Sequence, residues 1–170
     1  LREIAAGLGS DVPSQVEPAH AVVAGVGERV ERVGLPPMTL VLVPQLQGLS
    51  TAEVYVELDR LGGHSSDLDP APLRSLAGGS LTDLAGGVAN DLQPAALALR
   101  LDLSEPLETL FETGALAAQV TGSGPTTFGL FEERLAAERA AATIDGRRAA
   151  VAQATGAEPP PLAIVTELIA

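Results

Sequence analysis

The segment best suited to chemistry is a glycine-rich loop at residues 121–126. Over residues 121–131 the sequence reads "TGSGPTTFGLF", in which Gly122 and Gly124 flank Ser123 and Pro125 follows. Glycine has no Cβ, so the backbone of such a loop can approach a ligand closely and direct its N–H groups at phosphate oxygens. The same residue types are also typical of a hairpin turn between two strands. The residues alone leave both interpretations open, a phosphate-contacting loop and a hairpin turn.

The loop departs from the common phosphate-binding motifs. It does not fit G-x-G-x-x-G, and the absence of lysine from the chain excludes G-x-x-x-x-G-K-[ST]. Apolar, strand-like sequence lies on both sides of the loop, so we expect no helix N-terminus behind it to direct a positive dipole at a phosphate. Turn chemistry taken by itself therefore favours the hairpin.

Charge and composition exclude several other kinds of site. All ten basic residues are arginine and the formal net charge is −12. Without lysine, Schiff-base catalysis and a lysine phosphate clamp are excluded from within this chain. An acidic chain lacks the dense cationic face that nucleic acids require, so we discard nucleic-acid binding. The two histidines, His20 and His64, are far apart and there is no cysteine, so we expect no metal site.

The length and hydropathy are those of a globular protein. A chain of 170 residues, 46% hydrophobic and 19% charged, suits one domain or one domain with part of another. Its apolar runs are too short to cross a bilayer, and no signal peptide opens the sequence. We therefore predict a cytoplasmic protein without a membrane partner. The sequence does not determine an oligomeric state.

The loop should connect two strands of a larger α+β arrangement. "MTLVLVP" (residues 38–44) predicts a buried strand, and "PPPLAIVTELIA" (residues 159–170) predicts a final strand. Between the first of these and the loop, Ser50 and Glu53 fit a capping box, Leu49 and Val54 stand at the staple positions, and an apolar stripe continues to Leu61. This pattern predicts a helix that begins just after Ser50.

The remaining elements surround these. We predict a short helix capped by Asp69 with Pro70 at its first position, two helical pieces within residues 80–99, a helix capped by Ser104 that runs to Phe111, and an alanine-rich surface helix in "ERLAAERAAATI". Residues 1–8 read as the end of a helix, which suggests a truncated chain, and residues 19–33 read as a two-stranded element. From Gly34 the order β-α-α-α-α-β-β-α-β favours the α+β class with a small, mostly antiparallel sheet.

Four segments in order carry a resemblance to a known family. They are "LGSDVPS" (residues 8–14), "GLSTAEVYVELD" (48–59), "ANDLQ" (89–93) and "VTGSGPTTFGLF" (120–131). The chain resembles the latter part of the 4-diphosphocytidyl-2-C-methyl-D-erythritol kinase family, within the GHMP kinase superfamily. The resemblance extends over essentially all 170 residues. The segment "STAEVY" beside "LGSDVP" disfavours another GHMP kinase, such as a homoserine or mevalonate kinase.

The resemblance implies a two-domain fold and a reaction. It makes residues 1–34 the remnant of an N-terminal domain similar to ribosomal protein S5 domain 2, and residues 35–170 a ferredoxin-like C-terminal domain, with the family's two domains facing a cleft. The implied activity is ATP-dependent phosphorylation of the 2-hydroxyl of 4-diphosphocytidyl-2-C-methyl-D-erythritol, a step of non-mevalonate isoprenoid synthesis. ATP and Mg²⁺ are the implied co-substrate and ion.

The resemblance also assigns roles to residues. Asp11 in "GSDVP" matches the general base that takes the proton of the substrate hydroxyl. Gly122, Ser123 and Gly124 match a loop beside the nucleotide phosphates. The alternatives from the residues alone are that Asp11 only caps or bonds a turn before Pro13, and that the loop is only a hairpin.

The helix after Ser50 and the "ANDLQ" segment carry the other implied roles. Tyr55 matches an aromatic that stacks on cytosine, and Thr51, one turn earlier, is a candidate substrate contact. The alternative for Tyr55 is an ordinary core aromatic, and for Thr51 simply the first residue of the helix. Asn90 and Asp91 match a segment whose role we expect to be structural.

Some residues depart from the family pattern. Ser14 stands where the family has an aromatic, and Pro18 and Ala19 stand where it has a glycine pair. The family's catalytic lysine and main phosphate-binding loop are missing from these 170 residues, so we expect the chain to be inactive alone. A non-catalytic α+β binding or assembly domain on a kinase-derived scaffold is the alternative function.

Overall fold

A computed structural model describes residues 4–5, 7–9, 11–63 and 71–168. These residues form two compact units, which are described separately. The first unit holds the described residues up to Pro37 together with residues 71–87, and the second holds residues 38–63 and 88–168. The predicted cap at Asp69 and Pro70, the residue His64 and much of the predicted helix end at residues 1–8 lie outside the described residues.

The elements follow the predicted order closely. In chain order they are α1 (Val12–Gln15), β1 (Ala21–Ala24), β2 (Arg29–Arg32), β3 (Met38–Val43), α2 (Thr51–Leu61), α3 (Ala71–Ala77), α4 (Leu81–Gly87), α5 (Gln93–Leu99), α6 (Ser104–Glu112), β4 (Ala117–Val120), β5 (Thr127–Phe131), α7 (Arg134–Thr155) and β6 (Ile164–Leu168). A 3₁₀ turn over Leu101–Leu103 leads into α6. None of the helices in the described ranges is long and apolar enough to cross a membrane.

A four-stranded antiparallel sheet organises the second unit. Its strand order is β4-β5-β3-β6. Thr127 at the start of β5 pairs with Val43 at the end of β3 and with Val120 at the end of β4, so all three of these residues lie at one end of the sheet. The order and the β-α-β-β-α-β connectivity are those of a ferredoxin-like fold. The predicted α+β class is thereby confirmed.

The main core of the second unit lies between this sheet and helices α6 and α7. Its fully buried members include Val41, Val43, Leu110, Phe131 and Ile144. The packing is close at Gly129 in β5, where an added Cβ would lie 2.7 Å from Leu110 Cδ2. Glycine at this position therefore allows α6 to pack directly on the sheet.

Helix α7 differs from its prediction. The predicted surface helix covered residues 133–144, whereas α7 runs from Arg134 to Thr155 and ends at Gly156, whose φ is +69°. Ala137, Ala140 and Ile144 are buried against the sheet. Alanine is only weakly hydrophobic and gives little amphipathic contrast, so the sequence did not reveal the buried face of α7. The small side chains on that face allow the helix to pack closely on the sheet.

The segment before α6 corrects one prediction and confirms another. Ser104 is the first helical residue of α6, and the residue at the cap position is Leu103 in the 3₁₀ turn, so the prediction that Ser104 caps this helix is wrong. The prediction of two helical pieces within residues 80–99 is confirmed, because this region forms the two helices α4 and α5. The break falls at Gly87 and before Pro94, as the positions of these residues predicted.

The first unit contains the predicted two-stranded element. Strands β1 and β2 form an antiparallel pair in which Val23 lies opposite Val30. Arg74 of α3 forms an ion pair with Glu31 of β2, with 2.6 Å between Nη2 and Oε2. Both side chains are about half exposed, so this pair stabilises the unit only modestly.

Candidate functional site

The glycine loop is a tight hairpin connection between β4 and β5. The Thr121 N–H donates to the carbonyl of Thr126 at 2.9 Å, and the Gly124 N–H donates to the carbonyl of Thr121 at 2.9 Å. Gly122 and Gly124 have φ values of +56° and +84°, which glycine adopts without steric cost. The hairpin prediction is therefore confirmed for the backbone. Ligand binding by the loop then depends on the backbone N–H groups that the hairpin itself does not use.

Two consecutive N–H groups remain available at the tip of the loop. Within the described part of the chain, the backbone N–H groups of Gly122 and Ser123 have no acceptor. A Cβ added at Gly122 would meet no atom within 4 Å, so the tip faces open space. Consecutive backbone N–H groups of this kind can bind an anion such as a phosphate oxygen.

Asn90 holds the loop from the segment between α4 and α5. Its side-chain Nδ2 donates to the carbonyls of Val120 at 2.7 Å and Gly122 at 2.8 Å. Its Oδ1 accepts from the Leu92 N–H at 3.0 Å. Gln93 also holds the end of β4, because its Oε1 accepts a hydrogen bond from the Val120 N–H at 2.8 Å. These contacts agree with the structural role expected for Asn90.

A helix N-terminus lies beside the loop, contrary to the sequence-based expectation. Thr51, the first residue of α2, has its Oγ1 2.8 Å from Oγ of Ser123. Ser50 caps α2 by accepting a hydrogen bond from the Glu53 N–H. The expectation considered only the elements adjacent to the loop in the chain, whereas α2 begins 72 residues before Ser123. The positive end of the α2 dipole is thus close to the loop tip.

Tyr55 lies on the outer side of α2. Its side chain is 51% exposed, whereas Val54 and Leu58 of the same helix are buried. The alternative of an ordinary core aromatic is therefore wrong. Thr51 and Tyr55 are four residues apart and so share one face of the helix, which places an exposed aromatic ring one turn from the hydroxyl that contacts Ser123.

Arg100 fixes the segment that leads into α2. Its Nη1 donates to the carbonyls of Gln47 at 3.0 Å and Gly48 at 3.3 Å, and its Nη2 lies 2.7 Å from Asp102. The hydrogen bond from Arg100 lowers the pKa of Asp102. Sequence reasoning missed Arg100, because its partners are 52 and 53 residues away and no local pattern indicates them.

Asp11 belongs to the first unit, whereas the loop, Thr51 and Tyr55 belong to the second. Asp11 is exposed at the N-cap position of α1, and Ser14 Oγ donates to its backbone carbonyl at 2.7 Å. Within the described residues its side chain makes no capping hydrogen bond to α1. The side chain of Asp11 therefore does not cap α1, whereas the alternative that Asp11 only bonds a turn before Pro13 stays open.

Among the described residues, the acidic side chains do not gather into a metal site. In the ranges that the structure describes, no group of three or more histidine, cysteine, aspartate or glutamate side chains is placed to hold a metal ion. The positions that could contact a nucleotide are instead the hydroxyl and N–H groups of Thr51, Gly122 and Ser123. Their chemistry suits phosphate oxygens rather than a directly bound cation.

Comparison with protein families identifies the class of the fold. Residues 73–148 match the family model described as the C-terminal domain of GHMP kinases. Strands β4 and β5, the glycine loop, helix α6 and most of α7 lie within this match, whereas β3, α2 and β6 lie outside it. The chain thus contains a GHMP kinase C-terminal domain.

Two of the curated relatives that the chain matches share one name. The chain is 43% identical to the 4-diphosphocytidyl-2-C-methyl-D-erythritol kinase of Streptomyces coelicolor over 169 residues, which cover 92% of this chain and 56% of that protein. It is 39% identical to the kinase of the same name from Nocardia farcinica, with coverage of 98% and 56%. The chain thus spans about half the length of these curated relatives.

Solved structures agree with this assignment. A crystal structure of 4-(cytidine 5'-diphospho)-2C-methyl-D-erythritol kinase matches with a TM-score of 0.67 and 28% identity, over 84% of this chain and 52% of that chain. A homoserine kinase from Cytophaga hutchinsonii matches with a TM-score of 0.66 but 15% identity, over 93% of this chain and 50% of that chain. The second likeness shows only the shared fold. The chain therefore resembles the C-terminal portion of the first kinase.

Proposed function

We propose that this chain is part of a kinase that transfers the γ-phosphoryl group of ATP to the 2-hydroxyl of 4-diphosphocytidyl-2-C-methyl-D-erythritol. The observation that carries the proposal is the 43% identity to a kinase of that name over 92% of the chain. In this proposal residues 1–34 come from the N-terminal domain and residues 35–170 form the C-terminal domain. The enzyme acts in the cytoplasm, in isoprenoid precursor synthesis.

Asp11 is the general base of the proposed reaction. Its carboxylate accepts the proton of the substrate hydroxyl as that oxygen forms a bond to the γ-phosphorus and the bond to ADP breaks. The support is the "GSDVP" segment, which matches the family's catalytic segment, and the exposed position of Asp11.

The glycine loop contacts the phosphates of ATP. The N–H groups of Gly122 and Ser123 donate to phosphate oxygens, Gly124 provides the tight turn, and the N-terminus of α2 favours negative charge nearby. When bound together with the nucleotide, Mg²⁺ would offset the charge that develops during transfer.

The outer face of α2 contacts the substrate. The exposed ring of Tyr55 stacks on the cytosine base, since a half-exposed aromatic provides a flat apolar surface for a base. The hydroxyl of Thr51 donates to a polar group of the same ligand. The alternative of a non-catalytic binding domain is not favoured, because the relatives are named as kinases.

The test is a phosphorylation assay with an Asp11→Asn variant. We expect the full-length product of the gene that encodes this chain to phosphorylate the substrate with ATP, and Asp11→Asn to lower kcat by about 10²–10⁴-fold, the usual contribution of a general base. The 170-residue chain assayed alone should be inactive. Glu132→Gln, which neutralises an exposed carboxylate after β5, is the matched control.

Two results would contradict the proposal. An inactive full-length wild type would show that the substrate or the reaction is wrong. A full-length Asp11→Asn variant with the activity of the Glu132→Gln control would show that another group is the base. Circular dichroism of each variant establishes that a loss of activity does not come from unfolding.

A further inference from the structure

We infer that Asn90 is a positioning residue that turns the Ser123 N–H outward to bind an ATP phosphate. The inference rests on the proposed function and adds a residue to it. It starts from the two hydrogen bonds that Asn90 donates, to the carbonyls of Val120 and Gly122.

The orientation of the Asn90 amide is fixed by its partners. Two carbonyl oxygens face one end of the amide, and the Leu92 N–H faces the other. A flipped amide would set Oδ1 against two carbonyl oxygens and the NH₂ group against an N–H, so only the stated orientation satisfies all three contacts. Asn90 is half-buried, so losing its contacts would leave polar groups poorly solvated.

Holding a carbonyl also sets the direction of the next N–H. In a trans peptide the C=O and the N–H point in opposite directions. The Gly122–Ser123 peptide is trans, so the Gly122 carbonyl points toward Asn90 and the Ser123 N–H points away from it. The Val120–Thr121 peptide, two peptides earlier, behaves in the same way, because Asn90 holds the Val120 carbonyl and the Thr121 N–H donates to Thr126.

The consequence is a preorganised donor. Gly122 has no Cβ and a positive φ of +56°, so its two flanking peptides could rotate easily without a fixed partner. Asn90 removes that freedom. A donor that is already oriented binds phosphate more tightly than one that must be ordered on binding.

A pair of amide-to-acid variants isolates this role. Asn90→Asp keeps the shape and the Oδ1 acceptor but loses both donors that the loop uses. Gln93→Glu adds the same charge nearby and keeps the oxygen that accepts from the Val120 N–H, so it is the matched control. Asn90→Ala removes the donors without adding charge, and it replaces Asn90→Asp as the test variant if Asn90→Asp fails to fold.

The first measurement is steady-state kinetics of the full-length gene product. We expect the Asn90 variants to raise KM for ATP by about tenfold or more, as expected when a hydrogen bond to a charged group is lost, with KM for the second substrate unchanged. Gln93→Glu, which brings the same charge but keeps its acceptor, should raise KM for ATP less than Asn90→Asp does. A merely structural role would lower kcat through loss of folded enzyme and leave both KM values unchanged, and that result would overturn the inference.

The second measurement is independent of activity. In ¹H–¹⁵N NMR spectra of the 170-residue chain, Asn90→Asp should shift the Gly122 and Ser123 amide signals more than Gln93→Glu does. Unchanged loop signals would overturn the positioning role. An inactive wild type would instead contradict the proposed function and the role in ATP binding, whereas normal ATP kinetics of the Asn90 variants in an active enzyme would contradict only this inference.

Discussion

Thr51 and Ser123 share a hydrogen bond of 2.8 Å although 72 residues separate them in the chain. Around them the polar contacts come from neutral groups: the amides of Asn90 and Gln93, the hydroxyl of Ser50 and the backbone of the loop. Neutral donors and acceptors fix a backbone without adding charge that would compete with a phosphate. At the residue scale, the site is thus shaped by amide and hydroxyl groups.

Two serines at helix starts should respond differently to the same substitution. Ser50→Ala removes the side chain that caps α2 and should lower the free energy of unfolding by about 1 kcal/mol. Ser104→Ala should change it little, because Ser104 is already helical and does not cap α6. Urea denaturation followed by circular dichroism measures both. Equal losses would show that the cap of α2 contributes nothing specific.

At the element scale, strand β5 and helix α6 approach each other closely. Gly129 lies under Leu110, and an added Cβ there would also come within 3.1 Å of Phe131 Cε2. Both neighbours belong to the main core and are fully buried. A protein interior at this density cannot absorb an extra methyl group without moving an element.

Two glycine-to-alanine changes should therefore have opposite effects on stability. Gly129→Ala should destabilise the protein by about 1–3 kcal/mol through overpacking. Gly146→Ala, at an exposed position within α7 with no atom within 4 Å of the added Cβ, should stabilise it by about 0.5–1 kcal/mol because alanine favours the helix. Thermal and urea unfolding of the two variants measure both changes in stability. A stabilising Gly129→Ala would show that α6 does not pack on β5 as described.

The whole molecule carries a large negative charge that is partly organised into local pairs. With a net charge of −12, carboxylates repel one another over the surface. Hydrogen bonds from arginine or serine lower the pKa of four of them, namely Glu31, Glu57, Asp83 and Asp102. These groups therefore bind fewer protons in the folded state than in the unfolded state at acidic pH.

The sign of the pH dependence follows from these lowered pKa values. The stability that such a carboxylate contributes is present above its unfolded pKa of about 4 and is lost as the pH falls through the lower folded value. Asp102→Asn removes the contribution of the pair with Arg100, so it should lose less stability than wild type when the pH falls from about 7 to about 3. Urea midpoints at both pH values measure this, with Glu132→Gln as control. An equal loss in Asp102→Asn and wild type would contradict the stabilising role of the pair.

The sequence by itself determined the class of the fold and most of its elements. The capping residue Ser50, the apolar run of β3 and the glycines at turns act on their own neighbours, so their effects are local and readable. The motif resemblance likewise indicated the kinase family, which the named relatives confirm. The limits of α7 and the cap of α6 were missed because alanine-rich and 3₁₀ segments carry weak local signals.

Only the tertiary structure decided what surrounds the glycine loop. The contacts of Thr51 with Ser123, of Asn90 with Gly122 and of Arg100 with Gln47 join residues 72, 32 and 53 positions apart. No periodicity or local propensity encodes which of many polar side chains will meet across such distances. The partners are set by the strand order β4-β5-β3-β6 and by the helices α2, α5 and α6 of the same unit. Chain connectivity brings the start of α2 and the Asn90 segment to the loop, and that convergence requires the folded sheet.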